Sequence, residues 1–298
     1  MPIICVGNLS VGGTGKTPMA EYLISLTRKD YKVAMLSRGY KRKSKGFVLA
    51  DEKSTVAQLG DEPYQIHTKF PLVTVAVDTD RRHGIALLEQ KIGPDLIILD
   101  DAFQHRRVKA GLNILLTAYG ALYIDDWCLP TGHLRDNRRE AKRADLIIVT
   151  KCPPTLSEPQ REELRKRLKP KAHQQILFSY LEYGTEIGGS KPGTTLDFLK
   201  DRQLTLVTGI ADPAPLTAYL AKMGVSYDHH QFDDHHSFTQ KELQALNAQA
   251  YVLTTEKDYV RLKDGVDHLY YITVRHQFLG NGSHVLEQEV GNFMKRSS

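Results

Sequence analysis

At 298 residues, with 41% apolar and 25% charged side chains, the chain is long enough for two ordinary domains and reads as globular. No apolar run reaches the ~18 residues of a transmembrane helix, no secretory signal precedes the first strand, and three cysteines without metal or redox spacing read as reduced thiols of a cytosolic protein. A net charge of +5 is mild, so the distribution of basic residues says more than their sum.

The first element is the apolar run Ile3-Ile4-Cys5-Val6, a predicted strand. It leads into Gly12-Gly13-Thr14-Gly15-Lys16-Thr17. Pro18, with Met19, Leu23 and Leu26 at i, i+4, i+7 spacing, predicts a helix directly behind. Such a strand–turn–helix binds a nucleotide phosphate chain, because glycines let backbone N–H groups converge and the helix N-terminus adds partial positive charge. Lys16 reaches the β- and γ-phosphates and the Thr17 hydroxyl ligates Mg²⁺. The general template has Gly six residues before the lysine, where this chain has Ser10.

Further strands are predicted at 33–36, 73–77, 96–99, 112–116 and 146–149, with helical patterns between them. Near-continuous apolar strands alternating with helices argue a parallel sheet covered on both faces. Basic residues gather near the strand ends: Arg38 with Lys41-Arg42-Lys43 and Lys45, then Arg81-Arg82, Arg106-Arg107, and Arg135 with Arg138-Arg139. These suggest an anionic substrate or surface. Nucleic acid is disfavoured, since no aromatic-interleaved recognition motif accompanies them.

Gly60-Asp61-Glu62-Pro63 opens a helix. The run Leu96-Ile97-Ile98-Leu99 ends in Asp100-Asp101, which delivers carboxylates to a strand's C-terminal edge, where Mg²⁺ needs oxygen ligands. Either Asp could instead cap a helix over 102–107; beside residues 10–17 the metal role is preferred. Thr150-Lys151-Cys152-Pro153 lacks the aspartate that pairs with guanine, which argues against a GTPase. Later strands are predicted at 204–207, 251–253 and 270–273, loops at Cys152-Pro153-Pro154 and 188–193, and a final helix over about 285–294. Asp233-Asp234-His235-His236 stands alone in the second half. Tight adjacency lets few of the four converge on a metal, so an acid–base, orienting or merely structural role remains. A small-molecule kinase fits the set best.

The stretches from Gly7 to Thr17, Leu36-Ser37-Arg38-Gly39-Tyr40, Gly60-Asp61-Glu62-Pro63, Asp80-Arg81-Arg82, Asp100 to His105, Leu129-Pro130 with Gly132 and Leu134-Arg135, Asp234-His235-His236 with Phe238-Thr239, and Thr255-Glu256-Lys257-Asp258 occur in this order. Together they resemble the tetraacyldisaccharide 4'-kinase family of lipid A biosynthesis over nearly the whole chain. Ser10 is what that family carries.

The resemblance implies an α/β fold: a P-loop NTPase-like parallel-sheet core with a second, smaller α/β/α lobe joined by a two-stranded linker. The core would hold 1–128 and 284–298, the linker 129–134 and 272–283, the second lobe 135–271; composition alone divides the chain near Cys152-Pro153-Pro154. It implies transfer of the ATP γ-phosphate to the 4'-hydroxyl of a tetraacyldisaccharide 1-phosphate, with ATP and Mg²⁺ as cofactors. Ser10, Val11, Gly12, Gly13, Thr14, Gly15, Lys16 and Thr17 would bind the nucleotide. Asp61, His235 and Lys16 would be catalytic, Asp61 accepting the hydroxyl proton with help from His235. Thr17, Asp100, Asp101 and Glu62 would hold the metal. Arg38, Tyr40, Arg81, Arg82, Gln104, His105 and Arg135 would bind substrate or phosphates.

The expected setting is peripheral, at the cytoplasmic face of a bacterial inner membrane, with Lys41, Arg42, Lys43 and Lys45 facing the lipid and no obligate protein partner. The family usually carries an amphipathic segment before its first strand, where this chain has only Met1-Pro2. Its Leu-Arg-Glu-Pro is here Leu134-Arg135-Asp136-Asn137. The rival expectation is a P-loop kinase or ligase acting on a water-soluble substrate.

Overall fold

The computed structural model describes residues 1–191 and 193–297. The chain forms two compact units, Met1–Leu181 with the segment from His276 onward, and Glu182–Arg275.

In the first unit, β1 (Ile3–Asn8) leads through the glycine-rich turn into α1 (Lys16–Thr27) and β2 (Val33–Ser37). Then come β3 (Val48–Leu49), α2 (Val56–Leu59), α3 (Asp61–Lys69), β4 (Thr74–Val77), α4 (Arg81–Lys91), β5 (Leu96–Asp100), β6 (Leu112–Ala118), β7 (Leu146–Thr150), α5 (Glu158–Leu168) and the start of β8 (Gln175–Gly189). The sheet order is β8-β7-β6-β1-β5-β2-β4-β3, parallel except for β3. Elements up to β5 fill one side of β1; the chain then crosses to β6 on the other. Ligands of open α/β sheets bind at the carboxyl ends of strands flanking such a reversal.

The strands are apolar on both faces because both are covered. Ile97 and Leu99 pack on one face with Leu88 of α4 and with Leu164 and Leu168 of α5. Ile98 and Ile4 pack on the other with Met19, Leu23 and Ile24 of α1. That second face also receives Leu286, Val290 and Phe293. These belong to the C-terminal helix (Gly282–Ser297), which covers the predicted 285–294. Helix starts follow capping chemistry: Asp80 accepts the Arg82 and His83 N–H groups ahead of α4, and Ser157 forms a capping box with Gln160 at α5.

The second unit continues β8 and adds β9 (Thr194–Thr195), β10 (Leu204–Thr208), α6 (Ala214–Lys222), β11 (Asp228–Gln231), α7 (Gln240–Asn247), β12 (Tyr251–Thr255), α8 (Glu256–Leu262) and β13 (Leu269–Phe278). With the helices of this unit counted, the C-terminal helix is α9. Strands β11, β10, β12 and β13 are parallel neighbours in that order. Leu206, Leu216, Leu220 and Leu253 form one core of this unit, and Val207, Val252 and Leu262 a second.

The expected boundary at 129–134, and a second lobe beginning at 135, need correction. The unit boundary falls after Leu181. The reason is register: β7 adds to β6 with Ile114 opposite Leu146, and the start of β8 adds to β7. Residues 135–181 therefore complete the first sheet. Residues 127–134 form a turn whose bridge partners include Ser10 of the phosphate loop. The chain crosses between units inside β8 and again inside β13, between Arg275 and His276. The return to the first unit thus starts before 284. The predicted loop at 188–193 is partly strand, since β8 runs to Gly189; Pro192 lies outside the described residues.

Candidate active site

The turn after β1 holds the cradle that the glycines predict. Gly15 adopts φ 85° as the cap of α1, a left-handed conformation that favours glycine. A Cβ on Gly12 or Gly13 would meet open space, so the concavity over these residues is available to a ligand. Two buried contacts fix its floor. Thr150 Oγ1 donates to the Thr14 carbonyl at 2.8 Å. His276 Nε2 lies 2.9 Å from the Gly15 carbonyl and Nδ1 lies 3.0 Å from Ser179 Oγ. The carbonyl requires Nε2 to carry the proton, so Nδ1 accepts from the serine. Burial holds His276 down to about 4, so the ring is neutral. Val11 is exposed and its N–H donates to the His133 carbonyl at 2.8 Å, which commits that amide to the neighbouring turn. Ser10 is bridged to Leu134 in the same way.

Lys16, Asn8, Asp101 and Arg135 form one network at the end of β1. Lys16 Nζ lies 3.4 Å from Asn8 Oδ1 and 3.7 Å from Asp101 Oδ1. Arg135 grips Asp101 with both terminal nitrogens, at 3.0 and 2.6 Å, and donates to Asn8 Oδ1 at 2.5 Å. Gln104 donates to the Asn8 carbonyl at 2.7 Å. Through this bond Gln104 braces β1.

The two adjacent carboxylates have opposite characters. Asp100 is 4% exposed, and its Oδ1 has no hydrogen-bond partner among the described residues. Burial, then the Asp101 and Glu62 charges, push its carboxyl up to about 7 against the pull of Lys16 and Arg81. At Asp101 burial works in the same direction, but the Arg135 hydrogen bonds and the Lys16 charge outweigh it and hold the carboxyl below its usual range. Asp101 sits at φ 47°, outside regular helix, and no helix follows it, so the capping alternative does not apply. Arg81 is 1% exposed; Nη1 donates to the Asp78 carbonyl at 2.5 Å, while Nε and Nη2 have no hydrogen-bond partner among the described residues. Burial lowers its basicity, and the Asp100 and Asp101 charges oppose that. His105 is held below its ordinary range by burial and then by the Arg81 and Arg38 charges.

Asp61 and Glu62 occupy the first turn of α3. They are brought to the end of β2 by two glycines. A Cβ on Gly39 would lie 2.7 Å from the Leu59 carbonyl, and one on Gly60 would lie 2.8 Å from the Tyr40 carbonyl. Only glycine permits that approach, so Arg38, Tyr40 and Asp61 share one corner of the sheet edge. Arg38, Tyr40 and Arg82 are exposed there. Arg42 departs from its expected lipid-facing role. Its guanidinium turns inward to Ser44 at 3.2 Å and the Gly46 carbonyl at 2.6 Å, stapling its own loop.

His235 lies in the second unit, at φ 62°. Its N–H donates to the Gly209 carbonyl, whose own N–H is held by Asp258 Oδ2 at 2.9 Å. Lys257 Nζ stands 3.1 Å from His235 Nε2 and 3.1 Å from Asp234 Oδ1. Thr255-Glu256-Lys257-Asp258 is thus the frame that sets one histidine ring. His236 differs: it stacks on Phe232 at 4.8 Å and meets Glu242, a structural placement.

Asn8, Thr150, Ser179 and His276 escape sequence reasoning. Asn8 carried a signal, a buried amide closing an otherwise apolar strand. His276 had none, being 261 residues from the carbonyl it holds.

No group of three or more acidic, histidine or cysteine side chains converges as a metal cage among the described residues. Mg²⁺ does not require one, since it is usually held by one or two carboxylates, waters and substrate phosphates. The open, buried Oδ1 of Asp100, with Thr17 in the first turn of α1, fits that pattern.

Comparison with known proteins shows the family and the fold. The sequence model of the tetraacyldisaccharide-1-P 4'-kinase family, LpxK, matches residues 1–292. A tetraacyldisaccharide 4'-kinase of Flavobacterium johnsoniae is 50% identical over 287 residues, covering 94% of this chain and 84% of its own. One of Bacteroides thetaiotaomicron is 46% identical over 282 residues, covering 88% and 74%. The crystal structure of the "apo" form of LpxK from Aquifex aeolicus in complex with ATP superimposes with a TM-score of 0.78 at 31% identity, over 99% of this chain and 89% of that one. A family match over residues 1–292, with relatives 46% and 50% identical, establishes that the chain belongs to the tetraacyldisaccharide 4'-kinase family.

Proposed function

We propose that this chain transfers the γ-phosphate of ATP to the 4'-hydroxyl of an acylated glucosamine disaccharide 1-phosphate. The observation that carries the reading is the convergence, at the carboxyl edge of one parallel sheet, of an open phosphate cradle, Lys16 and a buried carboxylate with a free oxygen. Family membership and the names of the relatives supply the acceptor.

In this reading the 12–17 amides and Lys16 hold the β- and γ-phosphates. Thr17 and Asp100, with Asp101 and Glu62 nearby, would hold Mg²⁺, which supplies charge neutralisation on the phosphates when bound. Asp61 accepts the proton of the attacking hydroxyl, and His235 of the second unit supports it; the new P–O bond forms as the β–γ bridge breaks and ADP leaves. Arg81 has two nitrogens, Nε and Nη2, to offer to phosphate oxygens, and Arg38, Tyr40, Arg82, His105 and Arg135 line the same edge.

The acceptor's acyl chains belong in a bilayer and ATP is cytoplasmic, so the protein works peripherally at the cytoplasmic face of the inner membrane. Among the described residues no helix is long and apolar enough to cross a membrane. Purified protein with ATP, Mg²⁺ and the lipid disaccharide 1-phosphate in detergent should yield the 4'-phosphorylated product and ADP. Equal transfer to deacylated or free sugars would replace this reading with a kinase or ligase of water-soluble substrates.

A further inference from the structure

Among the described residues six large apolar side chains are exposed: Met1, Val11, Tyr40, Leu72, Trp127 and Leu129. Their placement is not scattered. Val11 follows β1, Tyr40 follows β2, and Trp127 and Leu129 follow β6, so these four leave carboxyl ends of parallel strands. They share the edge that carries the phosphate cradle. Met1 and Leu72 precede β1 and β4, at the opposite edge.

Trp127 and Leu129 are the most prominent of the four-residue set together with Tyr40, at 65%, 54% and 57% exposed. The turn that presents them is firmly built. Asp126 accepts the Trp127 and His133 N–H groups at 2.8 and 3.1 Å. Leu129 N–H donates to the Leu134 carbonyl and Leu134 N–H to the Trp127 carbonyl, both at 2.9 Å. The His133 carbonyl and the Arg135 N–H then tie the turn to Val11 and Leu9. A rigid turn that holds two large apolar side chains in water invites a partner.

Charge identifies the partner. Arg138 lies over the Trp127 ring at 5.4 Å, and Lys41 over the Tyr40 ring at 5.9 Å. Arg139 and Arg107 are exposed nearby in sequence, and Arg106 is tied to Asp136 in the segment that follows the turn. Aromatic rings at a lipid–water boundary, each beside a cation that reaches for anionic headgroups, are the chemistry of peripheral membrane binding.

We propose that Trp127 and Leu129 insert into the headgroup–acyl boundary of an anionic bilayer, with Tyr40 and the cations of this edge, Lys41, Arg138 and Arg139, supplying the attraction. This rests on the reading that the acceptor is an acylated lipid. The turn would hold the phosphate cradle at the depth where such a lipid presents its sugar.

Trp127 is the single tryptophan of the chain, so its fluorescence reports the insertion without any label. Wild-type protein is titrated with vesicles of phosphatidylcholine containing phosphatidylglycerol, and with phosphatidylcholine alone. With the anionic vesicles we expect a blue-shifted emission, protection from acrylamide, quenching by acyl-brominated lipid, and loss of binding as salt rises. Trp127→Ser with Leu129→Ser should weaken sedimentation with anionic vesicles about tenfold or more. Its phosphotransfer to detergent-dispersed acceptor should stay within about twofold, since both side chains are exposed and the turn's bonds to Leu9 and Val11 are main-chain bonds that the substitutions leave in place.

Binding without any change in Trp127 emission, or undiminished binding of the double variant, would overturn the proposal and leave the kinase reading intact. So would active wild-type protein that ignores vesicles, or a blue shift without lipid that tracks protein concentration, the mark of self-association. Loss of transfer to detergent-dispersed acceptor by wild type would instead sink the kinase reading.

Discussion

Replacing Asp100 with Asn should make the stability of the nucleotide-free protein rise relative to wild type as pH climbs to neutral, while abolishing phosphate transfer. In the folded chain the Asp100 carboxyl is pushed up from 3.8 to about 7. An unfolded chain releases this proton near 4, so between pH 4 and 7 the folded state binds more protons than the unfolded one. Stability then falls as pH rises through that window, is fully retained below it and is flat above it. At ~1.4 kcal/mol per unit the shift carries about 4 kcal/mol. Asn has no such titration.

The stability of Asp100→Asn relative to wild type should therefore climb by about 4 kcal/mol between pH 4 and pH 8, whatever the amide itself costs at the site. For a unit of this size that is a Tm difference growing by about 10 °C. Thermal or urea unfolding of both proteins across pH 4–8, without nucleotide and metal, measures it. Parallel pH profiles for the two proteins would refute the reasoning, because they would mean Asp100 is already ionised in the fold. The same logic reaches ligand binding: a cation needs the carboxylate, so wild-type affinity for Mg²⁺·ATP should weaken about tenfold per unit below pH 7, and the variant should lack that slope.

Three other outcomes are expected. Lys16→Ala should lower single-turnover transfer by about two to three decades, the cost of one transition-state charge contact, and a variant keeping a third of wild-type turnover would dismiss the cradle assignment. Asp61→Ala and His235→Ala should each reduce kcat by roughly 10²–10⁴ with ATP binding preserved, and the double variant should lose little more; losses that multiply cleanly would show the two side chains act independently. His276→Leu leaves the Gly15 carbonyl without its donor, an omission costing about 1–3 kcal/mol, and should raise the KM for ATP more than it lowers kcat, with partial rescue by His276→Gln. Since the ring is neutral down to about 4, the wild-type profile above pH 5 should show no step from this residue.

The strands of the first sheet were legible because a strand buried on both faces has no polar alternation to obscure it: Leu96-Ile97-Ile98-Leu99 is almost pure hydrocarbon. The same physics hid β11. As an edge strand of the second unit its Asp228-His229-His230-Gln231 needs no apolar face. The unit boundary was hidden for another reason. Both crossings lie inside β8 and β13, so no Pro, Gly or Ser-rich linker marks them, whereas Cys152-Pro153-Pro154 marks only the entry to α5. In the site, the glycine pattern and the carboxylate pair could be read directly, but which aspartate is harder to ionise could not. That depends on Arg135, 34 residues further on, choosing Asp101. Arg42 was misplaced because a basic run does not tell which member turns inward to carbonyls.

The network around Asp101 explains why such a charged site tolerates being built. Lys16 and Arg135 converge at the end of β1, where two cations side by side would repel each other. Asp101 and the Asn8 side chain satisfy both in the nucleotide-free protein. Asp100, whose Oδ1 has no hydrogen-bond partner among the described residues, is pushed up to about 7, so a proton competes with a cation there. Each of these groups is thereby paired or easily protonated, yet none is held in a way a triphosphate could not replace. Phosphate oxygens can take over Lys16 and Arg135, and a cation can take over the Asp100 proton. The pairing of Arg135 with Asp101 is the test of this balance. Arg135→Lys keeps the charge but loses the two-pronged grip, so Asp101 should become easier to protonate while Lys16 binds it more closely. ATP affinity should then fall through Lys16 as well as through position 135, and combining Arg135→Lys with Asp101→Asn should restore part of it. If the double variant binds ATP no better than the single, Asp101 does not compete with the nucleotide for Lys16, and the resting network is a scaffold rather than a placeholder.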